Sequence, residues 1–166
     1  MADGYVKPYV ESSVFISWIR GEKGVVTRDG IVDCASIAET VLKDAESGEY
    51  QVVTSHLTIA EVFKKKGATK LTDTENGAIL KYFEQPFIVF VEVDRGIAEE
   101  ANRLCRRFID QKLSPNDAIH LASALRAGCD VLLTWDNLLL DVSHQGVRIE
   151  CPRITKLGPL FSQSGV

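Results

Sequence analysis

The sequence predicts an α/β fold in which helices cover both faces of a mostly parallel sheet. Short apolar stretches alternate along the 166-residue chain with longer amphipathic stretches, as strands and helices do in this class. The clearest strand candidates, residues 87–93 and 131–134, are apolar almost throughout, which is typical of parallel strands covered on both faces. No internal repeat and no low-complexity segment interrupts the alternation.

The first part of the chain predicts one strand, two helices and a loop. Residues 5–10 favour a short strand, and the serines that follow can cap a helix that begins in the apolar stretch 14–19. Residues 21–30 (GEKGVVTRDG) combine glycine with charge and therefore predict a loop. Residues 33–47 predict a helix, because their apolar side chains recur at helical spacing until Gly48.

The middle of the chain repeats the alternation twice. Residues 50–54 (YQVVT) are rich in β-branched side chains and predict a strand. Helices are predicted over residues 56–66, where Gly67 closes the pattern, and over residues 72–85, before Pro86. The strand at residues 87–93 (FIVFVEV) follows that proline directly.

The last part of the chain predicts a second helix–strand pair. Residues 94–111 form a long amphipathic pattern, and residues 115–127 form a helix with proline at its first position. A short buried strand at residues 131–134 comes next, and residues 147–149 are a candidate last strand. Residues 158–166 are expected to form a flexible tail.

Composition and length indicate one soluble domain over residues 1–157. The hydrophobic fraction of 45% and charged fraction of 25% are ordinary, and the net charge of −4 gives no overall attraction to nucleic acid or anionic membranes. The four cysteines are widely spaced without a CxxC pair, which favours reduced, mostly buried thiols over a zinc site or disulfides. Because the sequence shows no secretory signal and no membrane-spanning apolar run, we expect a cytoplasmic protein.

Four carboxylates are predicted to meet at one edge of the sheet. In parallel sheets, ligands bind beyond the carboxyl ends of the strands. Glu11 and Asp136 follow predicted strands directly, whereas Glu61 and Asp117 lie early in helices whose N-termini reach the same edge. Crowded carboxylates repel one another unless a cation neutralises them, and all-oxygen ligation suits Mg²⁺ or Mn²⁺.

Each of these acids also has a purely structural interpretation. Asp117 and Glu61 can each complete a capping box with the residue three positions earlier, Ser114 or Thr58. Asp136 can be a turn residue, and Glu11 can be an exposed charge at a strand end. Capping alone does not require four acids at one edge, so the set together favours the metal site.

Three segments resemble the PIN-domain family, which includes the VapC-type toxins of toxin–antitoxin pairs. They are YVESSVF, TSHLTIAEVFKK and NDAIHLASALRAGCDVLLTWDN, of which the last is the most specific. The resemblance covers residues 5–150 and implies a three-layer α/β/α sandwich with a central parallel sheet. It also implies an Mg²⁺- or Mn²⁺-dependent endoribonuclease with an RNA substrate, an antitoxin partner and a homodimeric state.

The same resemblance assigns roles to individual residues. The catalytic acids would be Glu11, Glu61, Asp117 and Asp136. The main metal ligands would be Glu11, Asp117 and Asp136. The supporting polar residues would be Ser13, Thr134 and Asn116.

The first acid departs from the family pattern, in which this position is usually Asp. Glu11 carries an extra methylene, whereas Mg²⁺ requires strict geometry, with ligand distances of about 2.0–2.1 Å. An alternative function is therefore a PIN-like module that binds RNA or protein with weak or no catalysis. A phosphatase or phosphoacceptor site is disfavoured, because no lysine is clearly placed at a strand end.

RNA binding would require cations near the acidic edge. The candidates are Lys64 and Lys65 at the end of the Glu61 helix, and Arg103 and Arg107 on one face of the long helix. A solvated surface is the simpler interpretation of both groups. His120, three residues after Asp117, is predicted either to pack in the interior or to support the acids.

Overall fold

The computed structural model describes residues 4–63 and 70–155, which contain seven strands and seven helices. The strands are β1 (Pro8–Val10), β2 (Val25–Thr27), β3 (Gly30–Val32), β4 (Val52–Ser55), β5 (Ile88–Val91), β6 (Val131–Leu133) and β7 (Arg148–Glu150). The helices are α1 (Ser12–Arg20), α2 (Cys34–Glu46), α3 (His56–Glu61), α4 (Asp73–Tyr82), α5 (Arg95–Arg107), α6 (Pro115–Arg126) and α7 (Asn137–Leu140).

The central sheet has five strands in the order β5-β4-β1-β6-β7, and each neighbouring pair is parallel. β1 lies in the middle, with Tyr9 opposite Val53 on one side and opposite Leu132 on the other. The predicted parallel α/β sheet is confirmed. The residues that follow β1, β4 and β6 lie at the carboxyl edge of this sheet.

Two apolar layers cover the two faces of the sheet. Tyr9 and Leu132 pack with residues of α5 and α6, whereas Val10 and Leu133 pack with residues of α1 and α2. Successive strand residues point to opposite faces, so each strand contributes to both layers. The structure is therefore the expected three-layer α/β/α sandwich.

The loop predicted at residues 21–30 is wrong in part, because β2 and β3 form an antiparallel hairpin there. Thr27 is paired with Gly30 across the turn, and Gly30 has a φ of 106°, which suits glycine. Val26 and Ile31 are 77% and 75% exposed. Since the hairpin adds little to the core, its sequence lacks the apolar pattern that predicts a strand.

The expectation that residues 87–93 are covered on both faces is also wrong. β5 pairs with β4 and lies at the end of the strand order, where Val89 is 39% exposed. An apolar run predicts a strand, but it does not determine whether the strand lies in the centre or at the edge.

Several predicted boundaries shift. The helix predicted over residues 56–66 ends at Glu61, and residues 64–67 lie outside the described residues. The short helix α7 was not predicted. The predicted tail, residues 158–166, lies outside the described residues, and the single domain over residues 1–157 stays a prediction.

All four cysteines belong to the described part and are free, and three of them are buried. Among the helices in residues 4–63 and 70–155, none combines the length and apolar character needed to cross a membrane.

Candidate active site

Two of the predicted acids follow neighbouring central strands. Glu11 comes directly after β1, and its backbone N–H donates to the carbonyl of Leu133 at 3.0 Å, which extends the pairing with β6. Asp136 follows β6 and caps α7, because its Oδ1 accepts a hydrogen bond from the backbone N–H of Leu139 at 3.0 Å. The parallel β1–β6 pair therefore delivers both carboxylates to one edge.

Glu11 is buried, with 4% of its surface exposed, and its carboxylate is surrounded by donors. Oε2 accepts hydrogen bonds from the Ser13 backbone N–H at 3.1 Å and from Thr134 Oγ1 at 2.8 Å. Oε1 accepts a hydrogen bond from Ser12 Oγ at 2.5 Å. These bonds make Glu11 the cap of α1, and they keep its charge solvated inside the protein.

The predicted supporting residues Ser13 and Thr134 lie between Glu11 and Asp136. Thr134 Oγ1 accepts a hydrogen bond from the Asp136 backbone N–H at 3.0 Å while it contacts Glu11. Ser13 Oγ lies 3.3 Å from Thr134 Oγ1 and accepts from the Trp135 backbone N–H at 3.0 Å. One hydrogen-bond network thus connects the ends of β1 and β6.

Asp117 lies in the first turn of α6 and interacts electrostatically with Glu11 and Asp136. Burial raises the pKa of its carboxyl group above the ordinary value, and the negative charges of Asp136 and Glu11 raise it further. A hydrogen bond from Ser114 Oγ at 2.8 Å opposes this shift. The mutual repulsion indicates that Asp117 belongs to the same cluster.

Glu61 joins the cluster from a different position than predicted. It is the last residue of α3 and not an early one, and it reaches the site because α3 is short and follows β4 directly. Its Oε1 accepts from Asn116 Nδ2 at 3.2 Å, and its Oε2 lies 3.1 Å from His120 Nε2. Burial acts to raise the pKa of Glu61, but the hydrogen bonds from its partners on α6, that from His120 first among them, outweigh burial and lower the pKa.

His120 and Tyr9 are parts of this site that the sequence did not reveal clearly. His120 is fully buried, and its Nδ1 lies 2.6 Å from the Tyr9 hydroxyl. One indication of His120 was present in the sequence, since it lies three residues after Asp117 on the same side of the helix. The sequence contained no indication of Tyr9, which lies in an apolar strand.

In the described part of the chain, no contact joins the predicted RNA-binding cations to the four acids. Lys64 and Lys65 lie outside the described residues. Arg103 pairs with Glu100 at 2.7 Å, and the Arg107 guanidinium lies 5.1 Å from the centre of the Phe108 ring. Both arginines lie on the exposed side of α5, and their role in RNA binding stays a prediction.

A cation that was not predicted contacts α7, the short helix that Asp136 caps. Arg28, in the turn between β2 and β3, donates through Nη2 to the carbonyl of Asn137 at 3.1 Å. The same atom pairs with Asp141 at 2.7 Å. The hairpin therefore places a guanidinium against α7, the helix that Asp136 caps.

The donor set fits a hard divalent cation. One carboxylate oxygen each of Glu11 and Glu61 and a ring nitrogen of His120 lie within 4.8 Å of one another, and Asp117 and Asp136 supply further carboxylates. Besides burial, the negative charges of Asp136 and Glu11 raise the pKa of Asp117, and a cation would relieve that repulsion. Carboxylate oxygens are the ligands preferred by Mg²⁺ and Mn²⁺.

The fold is shared with solved structures, among them a toxin and a toxin–antitoxin complex. The VapC20 toxin from Mycobacterium tuberculosis, a sarcin–ricin-loop-cleaving toxin, is 14% identical, with a TM-score of 0.61 over 85% of this chain and 98% of that chain. A toxin–antitoxin complex from Klebsiella pneumoniae is 20% identical, with a TM-score of 0.59 over 84% of this chain and 94% of that chain. FitAcB from Neisseria gonorrhoeae is 15% identical, with a TM-score of 0.56 over 87% of this chain and 97% of that chain.

At the level of sequence, no curated protein matches this chain significantly. The sequence profile of the PIN domain matches residues 9–145, a range that runs from β1 to the segment before β7 and includes all four acids. The chain belongs to the PIN-domain family.

Proposed function

We propose that this protein is a metal-dependent endoribonuclease that acts as the toxin of a toxin–antitoxin pair. The observation that carries the proposal is the meeting of Glu11, Glu61, Asp117 and Asp136 at the carboxyl edge of a PIN-domain sheet. Burial and the charges of Asp136 and Glu11 both raise the pKa of Asp117, and a purely structural network of caps would not require these acids to lie so close together.

The main ligands of Mg²⁺ or Mn²⁺ would be Glu11, Asp117 and Asp136. When bound, the metal supplies Lewis acidity and lowers the pKa of a coordinated water for phosphodiester hydrolysis. The chain itself holds the acids in place: Thr134 bridges Glu11 and Asp136, and Ser114 fixes Asp117.

Glu61 is assigned a different role from the other three acids. Its lowered pKa keeps the carboxylate ionised, and its partners on α6 hold it by both oxygens. An ionised carboxylate held in this way can accept a hydrogen bond from the attacking water and orient it.

RNA recognition needs positive charge, because the site itself is acidic. We assign the backbone contacts to the predicted residues Lys64, Lys65, Arg103 and Arg107. To these we add Arg28, which contacts α7, the helix that Asp136 caps. Phosphate contacts of this kind set affinity and salt dependence and do not set sequence preference.

The toxin assignment rests on the kind of protein that shares the fold. The solved structures similar to this chain include toxin–antitoxin complexes, which supports an antitoxin as the partner of this protein. We also propose a homodimer. Induced expression in bacteria should arrest growth, and co-expression of the product of a neighbouring small reading frame should restore it.

The nuclease assignment is tested with purified protein and a structured RNA, in the presence of Mg²⁺ or Mn²⁺. We expect metal-dependent cleavage that EDTA stops and that Asp117→Asn abolishes. Wild-type protein that binds the RNA without cutting it under these conditions would refute the enzyme and favour a binding module.

A further inference from the structure

The imidazole of His120 lies next to the acids and is fully buried. Both ring nitrogens have partners: Nδ1 lies 2.6 Å from the Tyr9 hydroxyl, and Nε2 lies 3.1 Å from Glu61 Oε2. Nε2 also lies 3.7 Å from Glu11 Oε1. The ring therefore connects the central strand to two acids of the site.

Backbone geometry explains why these groups meet. Tyr9 and Glu11 are two residues apart along extended backbone, so their side chains leave the same face of the sheet. Asn116 and His120 are four residues apart on α6, so they lie on one side of that helix, and both contact Glu61. One helix face thus holds both oxygens of a single carboxylate.

The surroundings of the ring determine where its protons lie. Nε2 faces two carboxylates, and a lone pair in that position would repel both of them, so Nε2 must carry hydrogen. Nδ1 can then accept a hydrogen bond from the Tyr9 hydroxyl. The Tyr9 hydroxyl supplies the hydrogen of this bond.

We propose that His120 is a positioning residue for Glu61: its Nε2–H holds the Glu61 carboxylate beside Glu11, and the Tyr9 hydroxyl fixes the orientation of the ring through Nδ1. The inference rests on the proposed function, because the carboxylate that His120 positions is the one proposed to orient the attacking water. His120 would act through Glu61 and would not itself touch RNA or metal.

A pair of amide substitutions separates positioning from packing. The amide nitrogen of glutamine can occupy the place of Nε2, whereas asparagine reaches only the place of Nδ1. We expect His120→Asn to lower kcat by about 10- to 100-fold, the usual cost of removing a group that orients an active-site ligand, with little change in KM. His120→Gln should keep most of the activity. His144→Asn, which changes a histidine that caps the 144–146 turn, is the matched control and should leave kcat unchanged.

A double-mutant cycle tests whether His120 acts through Glu61. In a Glu61→Gln background, His120→Asn should cause little additional loss of kcat, because the carboxylate it positions is already gone. An equal fold-loss in both backgrounds would overturn the proposal. Equal losses in the Asn and Gln variants of His120 would also overturn it, since these would indicate packing alone.

The ring can be observed directly without any nuclease activity. In ¹⁵N-labelled, metal-free protein we expect His120 to show a proton on Nε2, with Nδ1 as a hydrogen-bond acceptor. Tyr9→Phe, which keeps the aromatic ring and its packing, should shift the Nδ1 resonance and lower kcat without unfolding the protein. Should the amide variants fail to fold, this variant carries the test.

Addition of Mg²⁺ distinguishes positioning from direct ligation. The proton on Nε2 should remain when the metal binds; its loss would mean that the imidazole is a ligand and would overturn the proposal. Absence of cleavage by the wild-type protein, in contrast, would refute the nuclease assignment while leaving the protonation of His120 independently measurable.

Discussion

Asp117→Asn should stabilise the metal-free protein, although it removes one of the proposed metal ligands. Burial and the charges of Asp136 and Glu11 raise the pKa of Asp117 in the folded state above its ordinary value of 3.8. At lower pH the folded and unfolded chains both hold the proton. As pH rises above 3.8, the unfolded chain ionises first, so the folded protein loses stability until its own raised pKa is passed. At neutral pH the whole penalty is present, and asparagine removes it.

The size of the effect follows from two opposing terms. Each unit of raised pKa corresponds to about 1.4 kcal/mol, which solvent screening reduces for a half-buried group. The substitution also removes a negative charge from the first turn of α6, which costs about 0.3–1 kcal/mol. The bond from Ser114 Oγ survives, because the amide oxygen can accept it. For every pH unit by which the pKa is raised, we therefore expect a net gain of at most about 1 kcal/mol, which corresponds to about 2–4 °C in Tm for a chain of this size.

The assay is thermal unfolding of metal-free wild type and variant at pH 4 and pH 7. The advantage of Asp117→Asn should be small at pH 4 and full at pH 7. Asp73→Asn is the matched control: Asp73 is an exposed acid in the first turn of α4, so its loss should only destabilise. If Asp117→Asn melts below wild type at pH 7, as the control does, the repulsion inferred for the cluster is refuted.

Bound metal should reverse the order of the melting temperatures, so that the wild type melts above Asp117→Asn. At 100 times the dissociation constant, Mn²⁺ should stabilise the wild type by about 2.7 kcal/mol, which is about 5–11 °C in Tm. The variant lacks one of the proposed ligands and should respond much less. An equal shift in both proteins would show that Asp117 is not a ligand.

Three further substitutions test other parts of the site. Glu11→Asp restores the usual acid of the family and should raise metal-dependent cleavage; no change would indicate that residue 11 is not a ligand. Arg28→Ala should raise KM several-fold and reduce the salt slope of RNA binding by about 0.7–1, the share of one phosphate contact, whereas Arg95→Ala on the exposed start of α5 should do neither. Ser114→Ala removes the cap of α6 and should cost about 1 kcal/mol, measured by denaturant unfolding; an unchanged midpoint would contradict the capping bond seen at 3.2 Å.

The sheet and half of the site were predictable because they depend on local pattern. Strand ends and first helical turns are visible in the sequence, and a parallel sheet brings those positions to one edge. Asp117 and Asp136 follow from this argument alone. Glu61 was placed at the right edge, although the helix that carries it ends there and does not begin there.

The remainder depends on contacts that no local pattern contains. Tyr9 and His120 are 111 residues apart, and a tyrosine in an apolar strand looks like any core residue until its partner is known. The β2–β3 hairpin was missed for a related reason. It is held by its own pairing and by the contacts of Arg28 with α7, and not by an apolar face.

The structure also shows what would limit metal binding by Glu11. Its longer side chain folds back to cap α1, so the length of the side chain does not prevent the carboxylate from reaching the site. Metal binding is instead limited by the number of carboxylate lone pairs that hydrogen bonds leave free. Oε2 accepts two hydrogen bonds, from the Ser13 N–H and from Thr134, and is saturated. Oε1 accepts one, from Ser12, and retains a lone pair. Since Oε1 lies on the side of His120 and Glu61, a cation bound by Glu11 would be held through this oxygen. Aspartate can cap the same helix with a shorter stem, and a carboxylate that accepts fewer hydrogen bonds from the protein keeps more lone pairs for the cation, so Glu11→Asp should increase activity.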